Sequence, residues 1–208
     1  MTFLIFLSEA VLISLSGVMA PGPITAVAVG KGNQSPHAGA LVAIGHGLVE
    51  FPLMAAVFFG VGSLLDAPYL QAGIGIAGGL FILWMGISML RSIRVDFSVD
   101  EYSKDTRSPI LAGILFSVGN PYFLVWWLTV GAALILRSVE FGVWGFLAFG
   151  MGHWLCDLLW DWFLSAISFK GGQFFGNRFQ QTVFALSGVM LLFFGGRLMY
   201  DAISGIFA

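Results

Sequence analysis

Cysteine and charge are both scarce in this chain. Of its 208 residues one is a cysteine, Cys156, which excludes an internal disulfide, a two-thiol relay and a cysteine-built zinc cluster. Charged residues make up 10% of the chain, whereas a soluble domain carries about 25%. No stretch of polar sequence is long enough to form a soluble domain. No basic patch suited to nucleic acid is visible, and the formal net charge is -2. A nucleophile-base pattern is also missing, so an enzyme is not expected, and nothing calls for a cofactor.

What is present is apolar: 58% of residues are hydrophobic, and the mean hydropathy is +0.93. Crossing a hydrocarbon core of roughly 30 Å takes about 20 helical residues. Six apolar stretches are long enough, at 2–29, 38–65, 69–90, 109–136, 141–169 and 182–207. Continuous apolar runs, rather than short alternating ones, argue for helices and against a β-barrel. The first stretch lacks a basic leading segment and contains Glu9 and a Pro-Gly-Pro, so it reads as a mature helix and not as a signal peptide. The expectation is an all-α integral membrane protein of six transmembrane helices embedded in a lipid bilayer.

The positions of the basic residues orient it. Arg91, Arg94, Lys104 and Arg107 cluster between the third and fourth stretches, and the same orientation gathers Lys31, Lys170 and Arg178 on that side, against Arg137 on the other. Basic residues favour the cytoplasmic side, which puts both termini outside. The mixed-charge segment 96–108 then serves as a cytoplasmic linker between a first three-helix unit, 1–95, and a second, 109–208.

The two units resemble each other. Gly45-His46 and Glu50 match Gly152-His153 and Asp157 at an offset of 107; "AGGLFILWMGISML" lies over "SGVMLLFFGGRLMY" at 110; the proline motifs "APGP" and "GNP" match at about 98 to 100. Their shared order, more than any one match, makes the case for a repeat. Because three is an odd number of spans, the second unit enters from the opposite side, giving two inverted-topology repeats, an arrangement associated with transporters.

The chemistry is concentrated in the repeated figure. Residues four apart share a helix face, so His46 and Glu50 project together from the second span, as do His153, Asp157 and Asp161 from the fifth. Ionisable residues at mid-membrane are costly unless they face one another or a wet cavity. Local helix glue is the plain alternative. Proline inside a helix removes a backbone hydrogen bond and clashes with the preceding turn, so Pro21, Gly22 and Pro23 are expected to break the first helix, and Asn120-Pro121 to break or kink the fourth. Backbone groups freed there are tolerated only inside protein or at a cavity, and a helix N-terminus at a break favours an anionic group. Pro21, Gly22, Pro23, Glu50, Asn120, Pro121 and Asp157 are therefore candidate substrate-binding residues, and Glu50, Asp157, His46 and His153 candidate proton-coupling groups. Asp161, whose counterpart at the same offset is Met54, and Arg197 are candidate gate residues; a local pair of Arg197 with Asp201 is the expected arrangement, with Glu9 as a second candidate partner. The sequence selects no tryptophan as a substrate contact. Gly75, Gly79 and Gly86 form a small-residue face that admits a neighbouring helix, from this chain or from a second copy in a homodimer.

"PGP" in the first span, the glycine-spaced second span with its acidic residue, "GGLFILWMGISMLR" in the third, the charged central loop and "GNP" in the fourth resemble the LysE/RhtB amino-acid exporter family over nearly the whole chain. The resemblance implies a multi-pass protein of the prokaryotic cytoplasmic (inner) membrane that exports amino acids or related small metabolites, coupled to an ion gradient. Pro21-Gly22-Pro23 and Asn120-Pro121 match the family's motifs, and Glu50 stands where members usually have aspartate. Tyr122 departs from the lysine that commonly follows Asn-Pro, and the histidine pair is not typical. Two substrate readings follow: a zwitterionic amino acid exchanged for protons, or a divalent metal held by His46, Glu50, His153 and Asp157, since imidazole and carboxylate suit such ions and more distant relatives in the superfamily export metals.

Overall fold

A computed structural model gives the architecture. It describes residues 2–20, 22–61, 68–91, 106–170 and 177–207. Pro21, Arg94, Lys104, linker residues 96–105 and the side chain of Arg178 lie outside the described residues. Within them every regular element is helical: α1 (Phe3–Val18), α2 (Pro23–Gly32), α3 (Ala38–Val61), α4 (Pro68–Arg91), α5 (Pro109–Val118), α6 (Pro121–Trp126), a π-helical turn (Trp127–Gly131), α7 (Ala132–Val139), α8 (Gly142–Phe169) and α9 (Asn177–Phe207).

Helix starts follow from local chemistry. Thr2 caps α1 by accepting from the Ile5 N–H, and Ser108 caps α5 by accepting from the Leu111 N–H, with proline at the first helical position after it. Asn120 caps α6 in the same way, its Oδ1 accepting from the Tyr122 N–H at 3.1 Å. α2 differs. Its N-cap is Gly22, in an extended conformation, and no side chain caps its amides. Gly142, with φ +68°, makes the reversal from α7 into α8, a conformation that favours glycine.

Both proline motifs interrupt a helix. α1 and α2 bend by 71° across their break, and α5 ends at Val118 before α6 begins at Pro121. Four helical stretches are long and apolar enough to cross a membrane, in α3, in α4, through α6, the π-helical turn and α7 (Tyr122–Val139), and in α9, or up to five if the bent α1/α2 pair is one span. This is fewer than the six expected from the sequence. The difference lies at the α1/α2 break and at α8, which, although 28 residues long, carries His153, Asp157 and Asp161.

The core is built from Phe6, Ile82, Trp127, Leu134, Ile135, Phe149 and Leu191, all essentially inaccessible. α4 lies along α9. The small-residue face of α4 meets α9 of the same chain: a Cβ on Gly86 would come within 2.9 Å of the Gly188 carbonyl oxygen, and one on Gly75 would press on Ala202. α3 packs on α5 and α8, and Gly45 is what permits the first contact, because a Cβ there would collide with the Ile110 carbonyl.

Candidate functional site

α3 and α8 carry the two histidine-carboxylate pairs, and the fold sets them against each other. Glu50 Oε1 lies 3.4 Å from His46 Nε2 on its own helix and 3.1 Å from His153 Nε2 on α8. Asp157 reaches His153 Nε2 at 3.6 Å and His46 Nε2 at 3.9 Å. The pairs are thus crossed as well as local, and Glu50 is fully buried with the other three nearly so.

Each histidine is held from behind by a serine on a broken helix. Ser117 of α5 sits 2.6 Å from His46 Nδ1, and Ser14 of α1 sits 2.8 Å from His153 Nδ1. Ser117 has a single hydroxyl hydrogen and donates it to the Gly113 carbonyl at 2.5 Å. It must therefore accept from His46, which fixes the hydrogen on Nδ1 and turns Nε2 toward the carboxylates. A bare imidazole nitrogen and a carboxylate oxygen repel one another, so the Nε2 contacts of His46 require a proton that nitrogen and oxygen share.

Trp127 adds a further donor to Glu50, its indole Nε1 giving a hydrogen bond to Oε1 at 3.3 Å. It opens the π-helical turn, a local irregularity often found at functional sites. Around these groups lies a cavity of about 190 Å³. Its walls come from Gly17 and Val18 at the end of α1, Gly22 to Thr25 at the start of α2, Asn120, Tyr122 and Phe123 at the second break, Trp126, Trp127 and the histidines and carboxylates, Asp161 included. Several buried polar atoms find no hydrogen-bond partner, among them Glu50 Oε2, Asp157 Oδ2, Asp161 Oδ2 and the Trp126 indole nitrogen.

The structure therefore brings together His46, Glu50, His153, Asp157, Asp161, Gly22, Pro23 and Asn120 from the sequence-predicted set. The two breaks are not equivalent in chemistry. At the second, Asn120 already satisfies the Tyr122 amide; at the first, the start of α2 is open to the cavity. Arg197 lies elsewhere: it keeps the expected local pair with Asp201, at 3.9 Å, and meets the second expected partner, Glu9 Oε1, more closely at 2.6 Å. Glu9 also takes Arg137 at 2.7 Å, so one carboxylate on α1 ties α7 to α9. A short contact with the largely buried Glu9 outweighs a longer i,i+4 contact with the exposed Asp201. Of the four residues considered for a metal, His46, Glu50 and Asp157 offer donor atoms all within 4.8 Å of one another, and His153 is not in that set. Ser14, Ser117 and Trp127 were not singled out from the sequence. Ser14 and Ser117 each precede a break by a few residues, but so does Ser16, and position alone does not tell them apart.

Apolar helices of membrane-crossing length around a buried polar cavity define a multi-pass membrane protein with an internal cavity lined by ionisable groups. Residues 15–202 match the family described as "LysE type translocator", and the chain belongs to that family of transporters. It is 25% identical over 205 residues, covering 96% of this chain and 97% of the relative, to a protein of Bacillus subtilis (strain 168) named "Putative amino acid efflux protein YcgF". No solved structure matches.

Proposed function

We propose that this protein exports amino acids or closely related zwitterionic metabolites across the prokaryotic cytoplasmic membrane, in exchange for protons, by alternating access to the central cavity. The family and the amino acid efflux name of its relative support the substrate class. The observation that carries the mechanism is the crossed cluster of Glu50 and Asp157 with two histidines at the cavity wall. A carboxylate shared by two imidazoles can take up or release a proton with the change of one charge spread over the coupled cluster instead of falling on a single buried group. Protons moving through it draw on the membrane potential, about 2.3 kcal/mol per charge for 100 mV.

The two units act as inverted repeats of three spans each, with α1/α2 and α5 to α7 as the broken first and fourth spans and α8 as the fifth, joined by a cytoplasmic linker. Packing supports a state closed on the outer side. There α1 rests on α9, and α4 rests on the π-helical turn and α7, with Glu9, Arg137 and Arg197 tying the layer together. On the inner side the main neighbours of α2 and α5 are each other, α3 and, for α2, α8. Arg197 in this reading is a gate residue of the outer side, and the backbone at Pro21 to Pro23 and at Asn120-Pro121 contacts substrate as the helices move.

Export of a divalent metal as the substrate is the second reading, favoured by the mutual closeness of donor atoms on His46, Glu50 and Asp157 and by the Ser117 hydroxyl behind His46, since metal-binding histidines have their other nitrogen fixed in this manner. Everted membrane vesicles loaded by the overproduced protein decide between them. Accumulation of an amino acid driven by a pH gradient supports the first reading; accumulation of zinc or manganese with no amino acid transport supports the second and refutes the first.

A further inference from the structure

Three carboxylates border the cavity, but the close contacts of the two imidazoles go to only two of them. Glu50 and Asp157 each lie within 4 Å of both histidines, as given above, whereas Asp161, one turn along α8 from Asp157, has no cation within 4 Å among the described residues and meets the field of His46 only from farther away. It is 2% exposed, and its Oδ2 makes no hydrogen bond. An ionised carboxylate buried without a counter-charge in contact is strongly disfavoured, so Asp161 is a group in want of a close cation or a proton. It also lies outside the repeated figure. At the offset of 107 that aligns the two histidine-carboxylate pairs its counterpart is Met54, an apolar side chain 2% exposed in the core.

The same cavity has unsatisfied donors as well. α2 starts at its wall with no side-chain cap, and the Trp126 indole N–H, on a residue 4% exposed, has no acceptor. A helix N-terminus and an indole N–H suit a carboxylate; an orphan aspartate suits an ammonium.

We propose that Asp161 is the specificity-determining residue for the positive end of the substrate, pairing with a primary ammonium while Glu50 and Asp157 remain engaged with His46 and His153. This rests on the amino-acid reading above and narrows it: the ligand must carry an ammonium group, and the extra carboxylate of α8 is what reads it. The ligand's ammonium takes the place of the proton or counter-charge that Asp161 otherwise needs. Pairing with a buried carboxylate of this kind is worth about 10- to 100-fold in affinity.

The test is binding to the purified protein in detergent, measured by calorimetry over the twenty standard amino acids, and then, for each that binds, over its N-acetylated and its deaminated analogues. The wild type is expected to bind at least one amino acid and to bind both of its analogues at least 10-fold more weakly. Asp161→Asn should lose that discrimination, binding amino acid and analogues alike, and Asp161→Glu should restore part of it; gel filtration and circular dichroism establish that the variants are folded. Equal wild-type affinity for the amino acid and its N-acetyl analogue overturns the assignment without any variant. Discrimination retained by a folded Asp161→Asn overturns it too, and in both cases the exporter reading stands. A wild type that binds none of the twenty overturns the exporter reading and this inference together.

Discussion

Replacing Ser117 with alanine removes the acceptor that His46 Nδ1–H has among the described residues. The Ser117 hydroxyl is fully buried and 2.6 Å from the ring nitrogen, so no water replaces it without a rearrangement of α3 against α5. A buried donor left unsatisfied costs about 1–3 kcal/mol. The ring can avoid part of this by moving its hydrogen to Nε2, where Glu50 Oε1 at 3.4 Å accepts it. That escape is open only to the neutral imidazole, since the doubly protonated ring must put a hydrogen on Nδ1. The variant therefore penalises the protonated state of the site selectively. With about 1.4 kcal/mol per pH unit, the pH midpoint of transport should move to lower pH by roughly 1 to 2 units, and stability measured by unfolding in mixed detergent micelles should fall more at acidic pH than at neutral pH. Ser14→Ala should act in the same direction through His153, at 2.8 Å. An unchanged midpoint in both variants would falsify the assignment of the serines as the groups that orient the histidines.

Trp127→Phe keeps most of the packing of a core side chain but removes the 3.3 Å indole donor to Glu50; a loss of about 1–3 kcal/mol in micelle unfolding is expected, and a loss below 0.5 kcal/mol (about the error of such comparisons) would mean the contact contributes nothing. Gly45→Val places a side chain against the Ile110 carbonyl, so α3 and α5 cannot keep their spacing; destabilisation at or above the upper end of about 1–3 kcal/mol is expected, and a normally folded, equally stable variant would contradict the close approach. Glu9→Gln weakens both the Arg137 and the Arg197 contacts. On a Cys156→Ser background carrying Ile13→Cys, a maleimide should then label the buried position faster than in the same protein with Glu9 intact, and equal rates would count against Glu9 as the tie between α1, α7 and α9.

The convergence of the two histidine-carboxylate pairs was legible because helical spacing and an internal repeat constrain it jointly. His46 and Glu50 share a face, His153 and Asp157 share another, and neither face tolerates lipid. The breaks were legible for a different reason: Pro-Gly-Pro and Gly-Asn-Pro combine lost amides with flexible or capping residues. A single proline does not suffice, as Pro52 remains inside the unbroken α3. What escaped depends on geometry between helices. Serines in membrane helices ordinarily bond their own backbone, as Ser16 does to the Ile13 carbonyl, so nothing in sequence separates Ser14 from Ser16. Trp127 owes its position to a π-helical turn that no motif announces. Arg197 has an aspartate four residues on, but α1 brings Glu9 closer, and tertiary contacts override local spacing wherever helices pack. Six apolar stretches likewise did not translate into six uniform helices, because the residues that make the site also shorten or polarise the helices bearing them.

We propose that amino-acid export runs on protons handled by Glu50 and Asp157. Proteoliposomes containing the wild type, Glu50→Gln or Asp157→Asn, each verified as folded, should be given a radiolabelled amino acid with and without an imposed pH gradient, and assayed in parallel for exchange without a gradient. The wild type is predicted to accumulate the amino acid only under the gradient and to lose that accumulation when a protonophore is added, while both variants fail to accumulate it. Gradient-driven accumulation by both variants equal to that of the wild type would refute proton coupling through these two carboxylates.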